Sequence, residues 1–294
     1  MIKRGVIPFD YRLSTSKSTA IQIGQFTWTA SRSNRKVTIS CHLKKEKSTI
    51  LWNCLAKGTF AYGNAEGGGV ESPFHFWSCL FGNTKMDHIT YYFDNEHNAA
   101  QRVAGSAGRI RVEIVKSLYV DLSTPRNQLV SDAKDAAKFL IENQSAWLSK
   151  KKLSFHSPFF AALFTQDFKE KAEEKYKLGD VKLSEFLQFV GILHCLDTPI
   201  DASSVKFLLK LANMWQCDMV LKHCELFLLK APESEFSNVN KLIYGDFYNL
   251  QTVLVETVSK LDSKQIRSMY QNPDISPFLQ GLLAQQMSLV EVKP

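Results

Sequence analysis

At 294 residues, 45% hydrophobic and 22% charged, the chain has the balance of an ordinary soluble globular protein with room for two domains. No apolar run approaches the roughly 18 residues that a membrane span needs, and MIKRGVIPFDYRLSTSKSTA at the start has basic residues but no continuous apolar stretch, so neither a membrane anchor nor a secretory leader is expected. The chain is therefore expected in the cytoplasm, the nucleus or both. The net charge of +7 is lopsided: residues 1–130 carry 17 Lys+Arg against 9 Asp+Glu (+8), and residues 131–294 carry 19 against 20 (−1).

In chain order, FTWTAS, KVTISCHL, TILWNCLA, FHFWSCLF, ITYYFD and RIRVEIV read as strands, being short, rich in β-branched and aromatic residues and often alternating. Turn signals such as SRSN, YGNAEGGG, FGNTKMD and AGSAG separate them. Several strands with no helical period between them predict an antiparallel sandwich over residues 1–116. The basic excess of this half would suit nucleic acid or acidic peptides. Its charges are nevertheless dispersed along alternating segments, which reads as a solvated sheet face, and nucleic acid is not expected as a partner. LYVDLSTPRN, polar and holding Pro125, suits a link over residues 117–131.

Beyond it, DAAKFLIE and SAWLSKKK look strand-like. A helix opens near His156-Ser157-Pro158, with proline where its missing N–H costs nothing. Leu183, Phe186, Leu187, Val190 and Leu193 share one helical face. SSVKFLLKLANMW and DMVLKHCELFLL continue the pattern, placing His223 and Cys224 on an apolar face as core residues. FYNLQTVLVETVSKL, DSKQIRSMY and SPFLQGLLAQQM predict a helical extension over residues 231–294.

Within residues 132–230, Leu153, Ser157, Phe160, Phe164, Asp180 and Val181 sit where the BTB/POZ family carries a leucine, a serine-opened helix, a phenylalanine-rich turn and a strand ending in Asp-Val. Asp135 matches the aspartate that begins the family's first strand. The stretch resembles that family, most of all its expanded nematode branch. Departures are Ser149-Lys150 in place of His-Lys, and His194-Cys195-Leu196 in place of Tyr-Thr-Gly. The strand-rich half resembles a divergent MATH domain, with RIRVEIV as its closing strand. The resulting fold class is α+β and multidomain: a MATH-like antiparallel β-sandwich, then a BTB/POZ α/β domain with C-terminal helices.

The resemblance implies a protein-interaction adaptor. In BTB proteins that recruit cullin-3, the loop after the phenylalanine-rich helix carries a hydrophobic residue, any residue, then glutamate; the same spacing puts Phe168-Lys169-Glu170 on that motif. Phe168 would be the aromatic anchor, a role that typically dominates an interface, and Glu170 would hold the loop. On the plainer reading Phe168 covers the core. The sandwich would capture a protein substrate. The alternative is a BTB scaffold or transcription-associated interaction protein without a ubiquitin-ligase role. Family dimers use a helix before the first strand, for which residues 117–130, interrupted by Pro125, leave little chain; a homodimer is a secondary expectation.

An enzyme is not expected. GxSxG, HExxH and HRD patterns are missing, and GGG at 67–69 lacks the Lys-Ser/Thr of a phosphate-binding loop. The six cysteines, at 41, 54, 79, 195, 217 and 224, contain no CxxC pair, so neither a disulfide framework nor a metal or cofactor site is expected.

Overall fold

The computed structural model describes residues 3–9, 15–45, 47–62, 72–83, 86–92, 108–166 and 175–291. The front half contains β1 (Lys3–Phe9), β2 (Thr15–Lys17), β3 (Ile21–Ile23), β4 (Phe26–Ser33), β5 (Lys36–Leu43), β6 (Ile50–Tyr62), β7 (Ser72–Gly82), β8 (His88–Tyr92) and β9 (Gly108–Asp121). They make two antiparallel sheets, β1-β9-β6-β7 and β2-β4-β5-β8, with β3 also pairing along β4. In β5, Val37, Ile39, Cys41 and Leu43 are buried while the residues between them are not. That period of two turns one face of each sheet inward. The shared core includes Ile7, Trp28, Ile39, Phe60, Trp77 and Ile110. Trp28 meets Phe81 edge-on at 5.1 Å and Trp77 at 6.3 Å, contacts that add about 0.5–1.5 kcal/mol each beyond burial.

The expected strands from FTWTAS to RIRVEIV are all present; β1, β2 and β3 were not anticipated. The GGG turn lies outside the described residues. The expected link is corrected: β9 runs to Asp121, five residues into it. Leu55 pairs with Lys116 but Ala56 pairs with Ile114, so Val115 is an extra, bulged residue. A bulge exchanges the faces of a strand. Before it Ile110, Val112 and Ile114 point inward; after it Tyr119 packs on the core while Val120 and its partner Leu51 are buried on the opposite face. The polar Lys116-Ser117 step marks this change of face and not the end of the strand.

After Leu122 the chain turns through a 3-10 segment, Ala133–Asp135, whose N-cap Asp132 accepts from the Lys134 N–H. Then come β10 (Ala136–Ile141), β11 (Gln144–Ser149) and, later, β12 (Lys175–Lys177), which pairs parallel with β10 in the order β11-β10-β12. Asp135 therefore sits in the turn just before the first strand. The basic run expected to extend β11 instead starts α1 (Lys150–His156), because Ser149 accepts the Lys152 N–H as its N-cap. Next are α2 (Pro158–Thr165), α3 (Leu183–Leu193), α4 (Ser204–Met214), α5 (Asp218–Lys230), α6 (Asn238–Phe247), α7 (Gln251–Val258), α8 (Ser263–Tyr270) and α9 (Pro277–Glu291).

These elements form two compact units, one built on the sandwich and the β10–β12 sheet, the other mainly helical. In the helical unit Leu242, Leu254, Val258, Ile266, Leu279 and Leu283 join α6 to α9. The helix expected from Phe247 begins only at Gln251, since Asn249 adopts φ 54° and ends α6. Cys224 is buried as expected, but His223 is exposed, one residue round the helix from it.

Candidate functional site

In the first unit, the β10–β11 turn consists of Glu142 and Asn143, both with positive φ (44° and 65°), as a two-residue hairpin with right-handed twist demands. Glu142 is a costly residue there. Its carboxylate compensates by accepting the Leu183 N–H at 2.8 Å, at the positive end of α3. Phe139 of β10 lies 5.7 Å from Tyr176 of β12 and 5.8 Å from Phe186 of α3. Helix and sheet are thus joined by aromatic packing, and the return strand β12 is fixed in register.

In the helical unit, α1 and α2 carry the motif that precedes the expected docking loop. Leu153 is buried. Ser157 N-caps α2 by accepting the Phe160 N–H at 3.1 Å, and its own hydroxyl donates to the Trp215 carbonyl. Phe160 is fully buried, 5.4 Å from Trp215 and stacked at 6.1 Å on half-buried Phe164. A hydroxyl is needed here because it supplies a compact acceptor and donor together, which among short side chains serine and threonine do. The helix ends when the Gln166 N–H bonds the Ala162 carbonyl.

Phe168 and Glu170, the expected docking residues, lie outside the described residues. One exposed aromatic on this domain was not anticipated: Phe155 of α1 is 83% exposed and meets His156 edge-on at 4.9 Å. Nothing in a single KKKLSFH stretch distinguishes it from the buried Leu153.

The departure at His194-Cys195-Leu196 is structural. His194 is partly buried and its Nε2 has no hydrogen-bond partner among the described residues. Burial, helped by the charges of Lys152 and His156, lowers its pKa to about 4, so it is neutral near pH 7. Cys195 is exposed and Cys224 is buried, with its thiol pushed up to about 12 by burial. Burial and neighbouring Cys54 push Cys41 up as well. Buried thiols of this kind are weak nucleophiles. Among the described residues, no group of three or more His, Cys, Asp or Glu is placed to hold a metal, and no helix is long and apolar enough to cross a membrane.

The family model for the BTB/POZ domain matches residues 132–231. Among curated proteins the chain is 23% identical over 254 residues to BTB and MATH domain-containing protein 36 of Caenorhabditis elegans, covering 83% of this chain and 78% of that protein. It is 27% identical over 136 residues to protein 38 of the same series, 46% of this chain and 33% of that one. It is 31% identical over 91 residues to protein 45, covering 31% and 19%. The chain thus spans a third of protein 38 and more than three quarters of protein 36. A match over 83% of the chain is too long for the 163 residues from Asp132 to the end, so it takes in the sheet-rich front half. Residues 132–231 are a BTB/POZ domain, set behind a sheet-rich N-terminal domain in a chain similar to the nematode BTB and MATH domain-containing proteins.

Proposed function

We propose that this chain is a non-catalytic adaptor, the substrate-recognition subunit of a cullin-3 ubiquitin ligase. The observation that carries the reading is the pairing of a BTB/POZ domain at 132–231 with a separate sheet-rich domain ahead of it. One domain would hold the scaffold and the other a protein substrate. Phe168 and Glu170 would make the scaffold contact, and the helices after Lys230 would extend it. Proximity is the adaptor's whole contribution; ubiquitin transfer belongs to other subunits. It would work in the cytoplasm or nucleus.

A pull-down of the full chain with cullin-3 tests this. The wild type should retain cullin-3, and F168A/E170A should lose it, because removing an aromatic anchor costs on the order of 2 kcal/mol or more. A wild type that does not bind, or a double variant that binds equally well, overturns the cullin-3 role and leaves a BTB scaffold without ubiquitination.

A further inference from the structure

Register and packing bring together three thiols that the sequence scatters. Cys41 lies on β5 and Cys54 on β6, so each belongs to a different sheet of the sandwich. Both are fully buried in the shared core, where the Cys41 thiol is hydrogen-bonded to that of Cys54. Cys79 of β7 is half-buried and packs against the same core. Ala56 pairs with Cys79 and Cys54 with Phe81, which makes Cys54 and Cys79 diagonal neighbours on the inward face. The Cys79 Sγ lies 3.8 Å from the Sδ of exposed Met86. The cluster therefore runs from inside the core to a solvent-accessible rim.

A disulfide asks for Cα atoms about 4.4–6.8 Å apart, which facing sheets reach where small side chains meet. Sandwiches of the immunoglobulin type close such a bridge between their sheets, with a buried tryptophan packed beside it. Here the facing residues are the two cysteines, Ala56 is the next inward residue of β6, and buried Trp28 stands opposite Cys41 in register.

We infer that these thiols form a peroxide-oxidation site whose product is a Cys41–Cys54 disulfide stapling the two sheets, with Cys79 as the thiol the oxidant meets first. Burial holds the Cys41 pKa well above the ordinary thiol range, so Cys41 is a poor first target. Access assigns that step to Cys79. Its sulfur attacks the O–O bond of a hydroperoxide, giving a sulfenic acid and releasing an alcohol, or water from hydrogen peroxide. The Cys54 sulfur then displaces the sulfenic hydroxyl, which leaves as water with the Cys54 proton, and a Cys54–Cys79 disulfide forms. Attack of Cys41 on the Cys54 sulfur makes the Cys41–Cys54 bond and returns Cys79 as a thiol carrying the Cys41 proton. In sum, two thiols give two electrons to one hydroperoxide and Cys79 is regenerated. The inference is independent of the adaptor reading, since it concerns the state of the sandwich and not what the chain carries.

The test treats the full, reduced chain with hydrogen peroxide, blocks remaining thiols with N-ethylmaleimide, and digests with trypsin without reductant. Mass spectrometry should find VTISCHLK joined to STILWNCLAK as the dominant disulfide, removable by dithiothreitol. Cys79→Ser should slow its formation at least tenfold. A misfolded chain would bare its thiols and bridge faster, so slowing cannot come from damage. Cys195→Ser, which removes an exposed thiol of the helical unit, should leave the rate unchanged. The loop closed between Cys41 and Cys54 is short, and its closure should favour the folded state on the order of a hundredfold, read as a higher urea midpoint of the oxidised chain. Absence of the joined peptides, pairing without preference among the six cysteines, a rate indifferent to Cys79→Ser, or an unchanged midpoint overturns the inference.

Discussion

Ser157→Ala should open the BTB helices more than a single hydroxyl suggests. Ser157 is 1% exposed and does two jobs, capping α2 through the Phe160 N–H and donating to the Trp215 carbonyl of the neighbouring helix end. Loss of an N-cap costs about 1 kcal/mol. Removing a donor from a buried carbonyl costs about 1–3 kcal/mol. The sum, about 2–4 kcal/mol, corresponds to roughly 30- to 1000-fold in an opening equilibrium. Hydrogen–deuterium exchange of a peptide spanning residues 158–165 should therefore speed up by that factor in S157A, with a lower urea midpoint. Ser157→Thr keeps both bonds, and the extended backbone there (φ −149°, ψ 112°) accepts a β-branched residue, so most of the protection should return. If S157A exchanges within about threefold of wild type, the two-bond account of this residue is wrong.

Gly58 and Gly179 make a contrasting pair. A Cβ on Gly58 would overlap the Arg111 carbonyl oxygen and stand 2.8 Å from the Trp77 ring, so Gly58→Ala should cost on the order of 3 kcal/mol in urea unfolding. Gly179 has nothing within 4 Å of an added Cβ, and Gly179→Ala should stay within about 0.5 kcal/mol of wild type. His194 predicts a pH dependence. Its folded pKa of about 4 lies below the ordinary 6.5, so below pH 6.5 the unfolded chain takes up the proton first and stability falls until about pH 4. Between pH 7.5 and 5 this amounts to about 2 kcal/mol. Urea midpoints at both pH values should show it in the wild type and lose most of it in His194→Leu; an equal drop in both proteins would refute the assignment.

What could be read from the sequence was whatever a period carries. Val37, Ile39, Cys41 and Leu43 announce β5, and Leu183, Phe186, Leu187, Val190 and Leu193 announce the buried face of α3. Edge strand β1 escaped notice because Lys3, Arg4, Gly5 and Pro8 all argue against a strand, although Ile7 and Phe9 alternate inward. β2 and β3, at three residues each, are too short for a period. The Arg4–Glu113–Lys57 cluster is a product of register: the three residues are more than fifty apart in sequence and meet only once β9 lies between β1 and β6. His223 misled because one residue on a helix is 100°, enough to carry it from the buried face of Cys224 into solvent.

The bulge in β9 also decides where the chain can be divided. Because that strand carries on to Asp121 and Leu122 accepts the Trp147 N–H at 2.8 Å, the sandwich and the β10–β11 hairpin share one continuous stretch of hydrogen-bonded backbone. A sandwich excised at Lys116 would lose the partners of Ile50 to Cys54, and one ending after Leu122 would still bare Leu51 and Val120 to water. The two parts are fused at a fixed offset instead of tethered. A partner seated on the sheet would therefore be carried at a set distance from the hairpin, with none of the reach that a flexible tether allows.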